Sequence, residues 1–345
     1  MIPRKKEISS NYLSKKEKIM LLDLLRDGRA FNTTIARKLN ISSQVTGRIR
    51  RGLEKEGKIK GYSIDLNNHY FGIHTFVLVL FNIEGANEDK IISDNLVGFY
   101  KVIANSITHI GLYAFKDLAE SDHYFNSLIE HKEKIKVIET HIFPIEGIIK
   151  NCSRNLFCNA IQEFEGKGSC KVVEFPASKD SLKLLHENEK MIIRQLIKQS
   201  NISCKKISSK LNKVISRSAV NRIKAKLENC GVIKRYNINL DYEKLGINVL
   251  AFIFVSPEPE IFKLQEELIK KCHKSKYIIG CYRLNEGVAL FCGFKNLNEL
   301  ENYSNSIRKQ YNELIKIKHI HIISPSGIIK DSFDDLYLKL LETKI

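Results

Sequence analysis

The stretch NISSQVTGRIRRGLEKEGKIKGY, residues 40–62, decides how the chain is read. Val45, Ile49 and Leu53 recur at helical spacing and form one apolar stripe. Ser42 or Ser43 stands where a helix wants an N-cap, and Gly57 stands where it stops. The opposite face carries Ser43, Gln44, Gly47, Arg48 and Arg51, with Thr46 near the N-terminal end and Arg50 beside the face. Two glycines, Gly47 and Gly52, lie inside this helix although each costs about 1 kcal/mol against alanine. Gly47 is expected to keep an outward face low, and Gly52 to permit a close helix–helix contact.

A second stretch, VISRSAVNRIKAKLENCGVIKRY, residues 214–236, repeats the first. Arg48, Ile49, Leu53, Glu54, Gly57, Ile59, Lys60 and Tyr62 are matched 174 positions later. Ala219, Ile223 and Leu227 would face inward, and Arg217, Ser218, Asn221 and Arg222 outward, flanked by Lys224. The repeat extends well beyond the helix. EKIMLLDLLRDG (17–28) matches EKMIIRQLIKQS (189–200), and HIFPIEGIIK (141–150) matches HIISPSGIIK (321–330). The chain is therefore a duplication of a unit of about 150 residues, the usual size of one domain or two small ones. Between the copies, residues 151–180 contain NCSRN, EGKGS and FPASKD and read as a linker.

Each copy changes pattern halfway. The first part reads as three short helices, with Asn32, Thr33 or Thr34 capping the second, which is a helix-turn-helix arrangement. The second part reads as strand, polar helix (87–97; 259–273), two strands, helix and a last strand, the β-α-β-β-α-β order of a ferredoxin-like module. A sheet with both helices on one face must bury its other face, and the two copies can cover one another. The expected fold class is α+β, as an intrachain pseudo-dimer. Its boundaries are a first winged helix-turn-helix at 12–61, a sheet domain at 62–150, the linker at 151–180, a second winged helix-turn-helix at 181–235 and a second sheet domain at 236–345.

The chain carries 56 Lys and Arg against 39 Asp and Glu, a net charge of +17, which favours a polyanionic partner. Positive charge concentrates on the outward faces of the two basic helices, where Arg and Lys can bond phosphates or guanine edges and Gln or Asn adenine edges. Double-stranded DNA is the expected partner. The candidate contact residues are Ser43, Gln44, Thr46, Gly47, Arg48, Arg50, Arg51, Arg217, Ser218, Asn221, Arg222 and Lys224. The eight cysteines form no CxxC pair, so no structural zinc site or redox motif is expected, and free thiols fit a reducing compartment. No apolar run is long enough to cross a membrane, and no apolar segment follows the basic N-terminus. A cytoplasmic protein without cofactor or resident metal is expected.

IARKLNISSQVTGRIRRGLEKEGKIKGYSIDLN and its echo, followed by the β-α-β-β-α-β order, resemble the Lrp/AsnC family, the leucine-responsive and asparagine regulators. The resemblance covers nearly the whole chain apart from the first dozen residues and the linker. It implies a winged helix-turn-helix joined to a dimer-forming, ligand-sensing sheet domain, and transcription regulation tuned by an amino acid or related metabolite. The sensing hairpin is placed by it near Gly111 in copy one and near Arg283, Asn285 and Gly287 in copy two. Members of the family usually carry one unit and dimerise, so this chain is a tandem form. Its pseudo-dimers could assemble into larger homo-oligomers. Copy two has LNKVIS where copy one has LNIS, two extra residues before the recognition helix.

Two alternatives stand beside this reading. Siroheme decarboxylases resemble the same family, and His109, His141, His321 and Arg283 would then act on a tetrapyrrole. A sequence-blind chromatin-type protein would also suit the charge. Glu139 with His141, and His319 with His321, share strand faces that could in principle meet a metal. No nucleophile triad, phosphate-cradling glycine loop or HExxH is present, so no enzyme is expected.

Overall fold

Ser14 opens the first helix by a reciprocal cap. Its hydroxyl accepts from the Glu17 N–H at 3.3 Å, and the Glu17 carboxylate accepts from the Ser14 N–H at 2.7 Å. The computed structural model describes residues 13–85, 88–103, 107–130, 135–151, 153–162, 185–212, 214–257, 262–311 and 314–342. Within them α1 (Lys15–Arg26), α2 (Asn32–Leu39) and α3 (Ser43–Lys55) form the first head, followed by the strand β1 (Ile59–Leu66). Asn40 adopts the left-handed conformation between α2 and α3, and the Ser42 hydroxyl caps α3 by accepting from the Val45 N–H at 3.2 Å. The N-cap of α2 is Phe31 with no side-chain bond; Asn32 instead accepts from Arg50.

The first sheet module comprises β2 (Thr75–Ile83), β3 (Leu96–Val102), β4 (His109–Phe115), α4 (Leu118–Glu130), β5 (Ile135–Pro144) and β6 (Ile148–Asn151). The helix expected at 87–97 is absent among the described residues, which hold only a short 3-10 turn, Glu88–Lys90. Ile92 and Leu96 stand a helical turn apart, yet Ile92 is exposed and Leu96 is buried as the first residue of β3, so no apolar helical stripe faces the core here. The strip expected as a linker contains α5 (Arg154–Gln162), whose Leu156, Phe157 and Ile161 are buried. Residues 163–184 lie outside the described residues.

The second copy repeats the order: α6 (Glu187–Lys198), α7 (Cys204–Lys210), α8 (Arg217–Asn229), β7 (Ile233–Leu240), β8 (Val249–Pro257), α9 (Phe262–Lys274), β9 (Ile278–Leu284), β10 (Gly287–Phe294), α10 (Leu297–Gln310), β11 (Ile315–Asp331) and α11 (Asp334–Glu342). Here α9 fills the place expected for the polar helix.

The copies join in two places. β1 pairs antiparallel with β7, with Ser63 opposite Asn237. These two residues are equivalent in the repeat, so the pseudo-two-fold axis passes between them. Neither copy builds a wing of its own from this strand; each lends it to the other, and the result is a ribbon. The remaining strands form one nine-stranded sheet in the order β5-β2-β4-β3-β11-β8-β10-β9-β6. β11 pairs with β8 of its own copy over residues 315–323 and with β3 of the other copy over 323–331. β5 and β6 make the same crossing, the first on β2 and the second on β9. The repeated HIFPIEGIIK and HIISPSGIIK segments are these crossings.

Strand alternation divides the interior into three cores. Val77, Val79 and Phe81 pack toward α4, while Phe76, Leu78 and Leu80 face the other copy. In copy two Ile253 and Val255 pack toward α9 and α10, while Phe252 and Phe254 face copy one. The shared core contains Tyr100 against Phe252 and Phe291, at 5.3 and 5.0 Å between ring centroids. Each such large side chain contributes about 1.5–3 kcal/mol when buried. Exposing this face by separating the copies would therefore cost more than a domain's usual net stability of about 5–15 kcal/mol.

Candidate nucleic-acid interface

The inward face of α3 is set by Thr46, Arg50 and Leu53, one position around from the stripe expected. Thr46 is 0 % exposed and donates to the Ser42 carbonyl at 3.1 Å. Val45 and Ile49 are half-buried. In α8 the equivalent residues Val220, Lys224 and Leu227 are all buried.

Arg50 is therefore a structural cation. Its Nε donates to the Tyr62 hydroxyl at 2.7 Å, and its Nη1 donates to the Ala30 carbonyl at 3.2 Å. Tyr62 in turn donates to Glu54 at 2.6 Å. Burial, then the Glu54 bond, pushes the Tyr62 hydroxyl up to about 12. Copy two repeats the arrangement with Lys224, Tyr236 and Glu228. Lys224 lies over the Tyr236 ring at 5.0 Å, and burial followed by the nearby Arg29 guanidinium lowers its pKa. Arg29 reaches across from head one to pair with Glu228 at 2.6 Å, and it stacks on the same ring at 3.8 Å. Thr46, Arg50 and Lys224 thus serve the folding of the heads, and the expectation that they face a duplex is corrected.

The other expected contact residues stand on the outside. Ser43, Gln44, Arg48 and Arg51 on α3, and Arg217, Ser218, Asn221 and Arg222 on α8, are exposed. Arg51 donates to the Gly47 carbonyl at 3.2 Å. Arg48, Arg217 and Arg222 engage no carboxylate among the described residues. Gly47 is half-buried, and a Cβ there would meet only the Asn32 amide, at 3.4 Å. Around Gly52 there is nothing within 4 Å, so it marks no helix–helix contact, and nothing in the structure explains it.

The heads are not mirror images. Arg217, Ser218 and Asn221 line a cleft of about 840 Å³ between the heads, whose opposite wall is the Asp27–Asn32 turn of head one. Lys205 adds positive charge to it, while Arg29, also in its lining, is paired with Glu228. Neither was recognisable from the repeat: Arg29 lies in a turn, Lys205 on the short helix α7, and their counterparts are the uncharged Asn201 and Thr33. Val214, one of the two extra residues before α8, is 75 % exposed just ahead of that helix.

The expected sensing residues are not gathered into one site. Gly111 is packed inside β4, where a Cβ would press on the Tyr113 and Phe81 rings at 2.9 and 3.0 Å. Gly287 holds a positive φ of 146° against the Val255 carbonyl. Arg283 pairs with Glu266 at 2.7 Å. Asn285 lines a cavity of about 260 Å³ together with Glu139, His141 and His319. His141 pairs with Glu139 at 3.0 Å, and burial lowers its pKa. His109 is held by Thr108 and Glu88 at 2.8 and 3.1 Å. Among the described residues no group of three His, Cys, Asp or Glu is arranged to hold a metal. No helix among them is long and apolar enough to cross a membrane.

No family model matches the chain. It is 30% identical over 122 residues to an uncharacterised HTH-type transcriptional regulator of Pyrococcus abyssi, covering 35% of this chain and 80% of that one. A second HTH-type regulator, from Pyrococcus furiosus, is 35% identical over 83 residues, 24% of this chain and 55% of that one. In fold, the siroheme decarboxylase NirDL is similar along 95% of this chain and 98% of its own, with a TM-score of 0.55 at 12% identity. E. coli AsnC aligns with 39% of this chain and 92% of its own, with a TM-score of 0.34 at 12% identity.

Proposed function

The chain belongs to the HTH-type transcriptional regulators, and we propose that it is a sequence-specific DNA-binding regulator of the Lrp/AsnC type with two heads on one chain. The carrying observation is that Arg48, Arg217 and Arg222 are exposed on α3 and α8 with no carboxylate engaging them among the described residues, in a chain of net charge +17. An arginine so placed on a helix face is available to phosphate and to guanine edges. Ser43, Gln44, Ser218 and Asn221 supply neutral donors and acceptors beside them. Because Gln44 and Arg48 have Ser218 and Arg222 as counterparts, and Gly47 has Asn221, the heads read different half-sites. A small metabolite such as an amino acid tunes the spacing of the heads, pseudo-dimers assemble further, and the protein works in the cytoplasm without catalysing a reaction.

The test is selection from fragmented genomic DNA by the purified protein at near-physiological salt. Enrichment of a few fragments sharing an asymmetric motif supports the reading. Even recovery of all fragments would make it a chromatin-type protein, and no recovery would remove DNA as the partner.

Whole-chain likeness in fold to a siroheme decarboxylase favours a second reading, tetrapyrrole chemistry at His141 and His321. The cavity beside His141 and His319 measures about 260 Å³, below the roughly 300–1,000 Å³ of pockets for drug-sized ligands, and a tetrapyrrole is larger than most of those. Adding iron uroporphyrin tests it. A visible absorbance change that is lost in His141→Ala would favour the enzyme.

A further inference from the structure

Under the β1–β7 ribbon lies a cavity of about 210 Å³, many times the roughly 10–15 Å³ that one water requires. It straddles the pseudo-two-fold axis. Ser63 and Asn237, the equivalent residues paired across that axis, both line it. The ends of the two copies line it as well. There the repeat offset is 180, since His141 matches His321, and so Asn151 corresponds to Asp331 and Arg154 to Asp334. All four face this cavity. Arg154 begins α5 and Asp334 begins α11, the helices that follow the two crossing strands.

In a homodimer the two sides of such an axis would carry the same residue and the same charge. Duplication has released that constraint, and the walls differ in sign. On one side stands Arg154, 3 % exposed, whose Nη1 is buried with no hydrogen-bond partner among the described residues. Its Nη2 reaches Asn237, at 3.5 Å. Burying a cation without a paired counter-charge is costly, so an anionic group placed on this guanidinium would be favoured. On the other side stand Asp331, which accepts from the Tyr100 hydroxyl at 3.2 Å, and Asp334. Asp65 also lines the cavity but is already paired with Arg235. The groups left over are one guanidinium and two carboxyls. Burial raises the pKa of both carboxyls, Asp331 up to about 6, and a bound cation would relieve that.

We propose that this cavity binds a small zwitterion, its carboxylate on Arg154 and its ammonium toward Asp331 and Asp334. A free phosphate would meet Arg154 but be repelled by the two acids. A simple amine would leave the guanidinium unpaired. The ligand would sit between the ribbon that joins the heads and the sheet beneath, and so tie one to the other. Binding stands independently of DNA, whereas its effect on the heads rests on the regulator reading above.

The full-length protein tests this without DNA, by thermal shift and calorimetry against the twenty protein amino acids as probes. For any that binds, its des-amino carboxylate and its decarboxylated amine follow. The expected result is one site per chain for at least one amino acid, with both half-ligands at least tenfold weaker. Arg154→Gln should weaken binding tenfold or more while leaving the Tm of the unliganded protein equal or higher. Asp331→Asn provides a second variant should the first fail to fold, and it too should weaken binding. No heat with any amino acid would overturn the proposal. So would equal binding of the des-amino carboxylate, or binding undiminished in a folded Arg154→Gln or Asp331→Asn. Loss of DNA binding in other experiments would leave this site intact, and failure here would leave the DNA reading intact.

Discussion

Arg48 and Arg50 are the same residue type two positions apart, yet a helix turns them to opposite duties. Arg50 bonds Tyr62 and the carbonyls of the preceding turn, while Arg48 is exposed. Arg50→Ala removes charge-assisted bonds in a half-buried site and is expected to cost about 2–3 kcal/mol of stability in a denaturant melt. Arg48→Ala combined with Arg222→Ala should leave the melt within about 0.5 kcal/mol. In duplex titrations across salt concentrations, the pair should flatten the dependence, by about 0.9 in slope for each phosphate that is no longer neutralised. An unchanged slope would remove both residues from the interface. Glycines divide in the same way. Gly28 lies where a Cβ would stand 2.7 Å from the Asn237 carbonyl oxygen, so Gly28→Ala should destabilise by about 1–3 kcal/mol. Gly52 faces open space inside a helix, so Gly52→Ala should stabilise by about 1 kcal/mol.

Among the elements, the crossing strands carry the most consequence, because β11, and β5 with β6, pair with strands of both copies. On β11, His321 is 2 % exposed and lies edge-on to Phe254 at 5.7 Å. Burial, then the neighbouring His319, lowers its pKa to about 4. The unfolded chain binds a proton near the ordinary value of about 6.5, whereas the folded chain resists it. The stability due to this shift is present above about pH 6.5 and is lost as pH falls toward 4. His321→Gln should therefore gain about 2–3 kcal/mol relative to the parent between pH 7 and pH 4, read as the difference between paired denaturant melts. A pH-independent difference would show that the imidazole is not held neutral. The repeated HIFPIEGIIK and HIISPSGIIK were legible as equivalent strand ends. That each continues onto the other copy's sheet was not, because alternation specifies which face a residue takes and not which edge a strand joins.

For the whole molecule, the nine-stranded sheet and the shared core make the copies one folding unit. Heat unfolding should be a single transition with calorimetric and van't Hoff enthalpies equal, rather than two. A resolved first transition would mean that the heads or one copy melt alone.

The sequence by itself determined the duplication, the three-helix heads, the basic outward faces and most of the strand order, since these rest on periodicity, caps and turn residues within one stretch of chain. It placed Arg48, Arg217 and Arg222 outside correctly, because side chains on one helix keep fixed angular relations. It misjudged Thr46, Arg50, Lys224 and Gly52, because a rotation of one position, or an empty space beside a helix, depends on what the neighbouring elements bring. Only the tertiary structure decided that β1 would pair with β7, that Arg29 would cross to Tyr236, and that Arg154 would be buried opposite Asp334. Each of these joins residues far apart in the chain, and long-range pairing is selected by the burial of a shared face, which no local pattern records.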